Sequence, residues 1–167
     1  MPERETIFSS KIKYTGIFSF KDFYKFCYFW LKDELGFEIM EDKYTEKIEG
    51  DSKKIELKWT CKKKLTDYFR FDAEVEMKAE KIKEVEVNQS GIKVKTNEGA
   101  IEVSIKGILV RDYNGKFETT AFKKFLRSIY EKWVIPSSID EYQAKIASDS
   151  DGFLNQAKAY LDLEGKK

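Results

Sequence analysis

The chain has 167 residues, 41% of them hydrophobic, which fits one ordinary domain with a workable core, since domains commonly run to roughly 100–200 residues. Its 31 basic and 30 acidic residues leave a formal net charge of +1, so the overall field draws in neither nucleic acid nor an anionic membrane. There is no histidine, which removes Ser-His, Cys-His and His-metal chemistry at once.

Ile7 to Phe18 carries β-branched and aromatic residues with partial alternation and reads as a first strand. Ser19, with Asp22 three positions on, opens a helix over Phe20 to Leu35 that Gly36 stops. On a helical projection Phe20, Phe23, Tyr24, Phe26, Cys27, Tyr28, Trp30, Leu31 and Leu35 share one broad apolar arc. Phe29 falls instead among the charged residues, where nothing within the helix explains it.

Phe37 to Ile48 is a second strand, turned by Glu49-Gly50-Asp51-Ser52 into one whose dry face is Ile55, Leu57, Trp59 and Cys61. The cleanest alternation follows: Phe69, Phe71, Ala73, Val75 and Met77 point one way, and Arg70, Asp72, Glu74 and Glu76 the other. Ile82 to Val87, Ile92 to Thr96 and Ile101 to Tyr113, separated by polar and glycine-bearing breaks, continue the series. Consecutive Ile108, Leu109 and Val110 imply that both faces of the sheet are covered there, either by this chain's own N-terminal strand or C-terminal tail or by a second subunit.

After Asn114-Gly115, Thr119 or Thr120 caps a helix in which Phe122, Phe125, Leu126, Ile129, Tyr130 and Trp133 step by threes and fours. Pro136 is expected to end it, and Ser138 with Glu141 to open another helix. The run Asp149-Ser150-Asp151-Gly152 is either a kink or a true turn in that helix. It lacks the closing bidentate Glu of a calcium loop, since Tyr160 stands in its place. Lys62-Lys63-Lys64 reads as a solvated strand end, and Glu74 with Glu76 as wet-face alternation rather than a catalytic pair. Cys27 and Cys61, on apolar faces, read as reduced core thiols. Met1 to Glu5 has no signal-peptide apolar stretch, and no apolar run reaches the roughly 20 residues that span a bilayer. A soluble, cytoplasmic protein is the expectation, with no transmembrane segment and no cofactor.

The predicted fold is α+β: strand, helix, a six-stranded antiparallel meander, then C-terminal helices packed on a curved sheet. One domain spans 1–167, with 137–167 as its C-terminal helical extension. By order of elements over Ile7 to Trp133 this resembles the helix-grip fold of START-like and pollen-allergen-like proteins; a half-open barrel is the alternative. That resemblance implies an apolar cavity between sheet and C-terminal helix.

Two functions follow as expectations. The first is a non-enzymatic interaction or assembly subunit, meeting a protein partner or forming a homo-oligomer through Phe29, Ile108 and Val110. The second is a carrier or sensor for an apolar ligand, its cavity lined by Trp59, Phe69, Phe71, Phe125, Ile129 and Trp133. No strong nucleic-acid or metal signal accompanies either.

Overall fold

In the computed structural model, which describes residues 3–113, 121–129, 132 and 136–165, the alternating segments pair into one antiparallel sheet. Its strands are β1 (Glu3–Phe18), β2 (Glu38–Glu49), β3 (Ser52–Lys64), β4 (Phe69–Gln89) and β5 (Ile92–Arg111). Their order is β1-β5-β4-β3-β2, so β2 to β5 form a meander and β1 lies along the far side of β5. The order is linear, with β1 and β2 as edges, and the described pairings do not close a barrel. The parity of β4 is as the alternation predicts: Phe69, Phe71, Ala73, Val75 and Met77 are all at most 2% exposed.

Among the described residues, four strands, not six, follow the first helix. The polar breaks that read as turns, around Glu80-Lys81 and Asn97-Glu98-Gly99, face one another across a bulge in continuous strands. Register passes from Glu80↔Ala100 to Lys83↔Glu98, which leaves Lys81 and Ile82 opposite Gly99. Lys81 takes φ 55° there. A Cβ at position 99 would sit 2.9 Å from the carbonyl oxygens of both Glu80 and Lys81, so a glycine hydrogen is what lets the bulged backbone pass.

Helix α1 (Phe20–Phe29) starts at Ser19, whose hydroxyl accepts from the Asp22 amide at 3.3 Å. It runs on through a π-helical turn, Trp30–Glu34, closed by the Leu35 amide on the Trp30 carbonyl at 3.1 Å. Gly36, at φ 78°, then turns the chain out of the helix. Phe20, Phe23, Cys27 and Leu31 enter the core, as the apolar arc predicts.

The C-terminal helices differ from expectation. Helix α2 (Ala121–Ile129) does not cover the sheet; that role belongs to α3 (Pro136–Gly165). Pro136 is the first residue of α3, a position where its missing amide is no loss. The helix passes through Asp149 to Gly152 without a break. Its Ile146, Phe153, Leu154, Ala157 and Leu161 lie in one core with Val103, Ile105 and Leu109, so the segment from 137 onward is the sheet's cover. Alongside it, Tyr160 stacks on Phe26 of α1 with ring centroids 4.6 Å apart. The expected caps Thr119 and Thr120, and the apolar positions Tyr130 and Trp133, lie outside the described residues. Cys27 and Cys61 are free and buried, and burial pushes both thiols up, Cys61 to about 12.

Candidate functional site

Helix α2 is mounted the wrong way round for a core helix. Phe122 is 67% exposed, Phe125 60%, and Leu126 and Ile129 39% each. Arg127, on the opposite face, is buried.

The mounting is built up from a tight turn between β3 and β4. The Thr66 hydroxyl accepts from the amides of Tyr68 and Phe69 at 3.1 and 3.0 Å, and the Thr66 carbonyl accepts from the Tyr113 hydroxyl at 2.8 Å. Tyr68, so fixed, receives its hydroxyl's hydrogen bond from Arg127 Nε at 3.0 Å. The same guanidinium lies 2.9 Å from Glu3 and 4.0 Å from Asp112. Three elements thus hold the polar side of α2, and its apolar side is left to solvent.

The residues expected to line a cavity are not brought together. Trp59, Phe69 and Phe71 are core side chains on the inner face of the sheet, closely surrounded: Phe71 meets the Phe37 ring edge-on at 4.8 Å, and Phe69 lies 5.2 Å from Tyr142 of α3. Phe125 and Ile129 point away on α2, and Trp133 lies outside the described residues.

The three expected interface residues also separate. Phe29 is exposed, at 51%, on α1. Ile108 and Val110 are only 5% and 1% exposed, which leaves them no surface for a partner. They sit on the face of β5 away from α1: Thr6 and Asp72 flank Ile108, and Arg4 and Arg70 flank Val110. Asp72, expected to face water, is buried there beneath the two arginines, accepting from Arg4 at 2.9 Å and from Arg70 Nε at 2.7 Å. The chain's own first strand is therefore part of what covers that face, as one of the two sequence readings had it.

The charged motifs resolve into structural contacts. Lys63 donates to the Leu35 carbonyl at 2.7 Å, serving the end of α1's π-helical turn, and its ammonium lies over the rings of Phe37 and Phe71. Burial, and then the Lys145 charge, hold its pKa below the ordinary lysine value. Lys64 pairs with Asp67, while Glu74 and Glu76 lie 3.9 and 4.0 Å from Arg4 and Lys58. Asp149 faces Lys145 and Lys63 on a continuous helix, not a calcium loop. Among the described residues no cluster of acidic or cysteine side chains is placed to hold a metal ion, and no helix is long and apolar enough to cross a membrane.

A second feature lies at the opposite end of α1 from Phe29. The first turns of that helix overhang β2, β3 and β4 and leave an open cleft of about 750 Å³. Phe20, Ile55 and Ile82 form its floor, and Tyr24 and Tyr44 its walls. Neither α2's orientation nor this cleft was legible from spacing; the one available signal was that Arg127 sits between apolar positions on an otherwise regular helix. No family model, curated protein or solved structure matches the chain.

Proposed function

We propose that this protein is a non-enzymatic interaction subunit that presents α2 to an apolar groove on a partner protein. The observation that carries the reading is the outward apolar face of a helix whose arginine is anchored inward. Phe122, Phe125, Leu126 and Ile129 occupy i, i+3, i+4 and i+7, the spacing by which an amphipathic helix fills a groove. A large apolar side chain gains roughly 1.5–3 kcal/mol on full burial, and Phe122 and Phe125 lie mostly in water with Leu126 and Ile129 partly so, a standing cost that a partner removes.

Of the nine residues of α2, Lys123 and Lys124 are exposed and basic and none is acidic, which fits a groove with an acidic rim, while Arg127 serves the anchorage. Pairing two copies face to face through so short a helix falls short of the roughly 800 Å² per partner of a standard interface. A groove that wraps the flanks of the helix makes up the difference.

The test takes a partner co-purified from the source, identifies it, and titrates it as a purified component against the wild type and Leu126→Asp. We expect affinity to fall by about 30-fold or more, as for a central anchor, while the free protein keeps a cooperative thermal transition. Equal affinity for the variant overturns the reading. So does a wild-type dimer that Leu126→Asp dissociates, which makes a second copy the occupant.

A further inference from the structure

From the cleft beside α1 we infer a binding site for a small aromatic carboxylate. The site is separate from α2 and independent of the interaction reading. Its volume, about 750 Å³, lies within the roughly 300–1,000 Å³ of small-molecule sites.

Its walls are held in place before any ligand arrives. Asn97 of β5 accepts from the Phe20 amide at 3.1 Å, fixing the ring at the start of α1 over the floor. Tyr24 donates to Glu41 and Tyr44 donates to Glu46, each at 2.9 Å, so both rings are tethered at their outer ends. The two rings meet edge to face at 6.2 Å, and Trp59 backs Tyr24 from the core at 5.2 Å. Of the described residues first expected to line a cavity, Trp59 alone abuts this one, from behind. Burial and the neighbouring glutamates raise the pKa of both phenols, so the hydroxyls stay protonated and the walls uncharged across the physiological range.

The rim decides the ligand's charge. Glu41 and Glu46 are engaged by the tyrosines, and Lys53 lies 3.9 Å from Glu46. Lys21 and Lys25, one helical turn apart at the mouth, have no ion pair or hydrogen bond among the described residues. Two uncommitted ammonium groups above an aromatic-walled, apolar floor complement a ligand with a flat ring and an anionic end. The ring would lie between Tyr24, Tyr44 and Phe20, and the carboxylate would reach the lysines.

The experiment titrates the full chain with 2-naphthoate and with its neutral counterpart 2-naphthamide, following backbone amide shifts by NMR. Expected are saturable shifts for 2-naphthoate at Phe20, Tyr24, Tyr44 and Ile82, with the amide weaker by about tenfold or more. The double variant Lys21→Ala/Lys25→Ala, altering two exposed side chains, should abolish that discrimination without moving the thermal midpoint. Leu126→Asp should leave naphthoate binding unchanged, which distinguishes the cleft from the apolar face of α2. Absence of saturation, equal binding of acid and amide, discrimination that survives loss of both lysines, or shifts mapping to α2 would each overturn the assignment.

Discussion

A single hydrogen atom at position 107 sets how closely α3 lies on β5. A Cβ there would stand 2.5 Å from Ser150 Oγ and 2.7 Å from Ile146 Cγ2. Gly107→Ala should therefore cost about 1–3 kcal/mol by overpacking, read as a lower urea midpoint. The Ser150 hydroxyl is buried with no hydrogen-bond partner among the described residues, so Ser150→Ala should be neutral or stabilising. Because it also removes one of the two clashes, the double variant should be more stable than the sum of the single effects. Strict additivity in that cycle would refute the contact. The tyrosine rings make a second residue-scale prediction. Burial, then the hydrogen bond to and charge of Glu41, raise Tyr24 from 10.0 to about 12. The folded protein thus keeps a proton that the unfolded chain releases near pH 10. The sign is fixed: the contribution is whole below pH 10 and is lost as pH rises towards 12. Tyr24→Phe should flatten the fall in urea midpoint over that interval; an unchanged slope would count against it.

At the scale of elements, α2 is held by what its polar face touches. Removing the guanidinium in Arg127→Ala takes away its hydrogen bond to the Tyr68 hydroxyl and its ion pairs with Glu3 and Asp112. We expect a loss of about 1–3 kcal/mol and hydrogen exchange in α2 at the rate of an open segment, with β4 and β5 still protected. Unchanged protection of α2 would show that something else holds it. This helix also marks where sequence reasoning stops. Periodicity tells which residues share a face, and for α1 that sufficed, because its apolar arc matched the one sheet face on offer. It does not tell which way the face looks. α2 has the sharper stripe, yet α3 took the sheet, because its Ile146, Phe153, Leu154, Ala157 and Leu161 extend over a longer path and Gly107 admits its backbone side closely. The strands show the same limit. Lys81 and Gly99 look like turn residues because a bulge and a turn need the same backbone freedom, and only pairing tells them apart. Core membership of Trp59, Phe69 and Phe71 was readable from alternation, whereas the space around them was not. The cleft escaped notice because it joins the first turns of α1 to parts of four strands, residues distant in sequence.

For the whole molecule the decisive arrangement is that one sheet face is covered by two helices from opposite ends of the chain, α1 and α3, packed side by side through Phe26 and Tyr160. The sheet cannot complete its core until the last segment arrives. Ile146, Phe153, Leu154 and Leu161 are each at most 3% exposed. At roughly 1.5–3 kcal/mol for each large apolar side chain buried, these four contribute on the order of 6–12 kcal/mol, which matches the whole net stability of an ordinary domain. A chain stopped before Pro136 would lose that contribution and also uncover the facing residues Val103, Ile105 and Leu109. We expect the truncated protein to lose its cooperative thermal transition and to bind 1-anilinonaphthalene-8-sulfonate strongly, since collapsed chains without fixed packing expose apolar surface. Adding the separate 136–165 peptide should restore the transition in proportion to its concentration, because a segment that binds only the folded sheet stabilises it by mass action. If the truncated chain instead melts cooperatively at the temperature of the intact one, α3 is an appendage and the core closes without it.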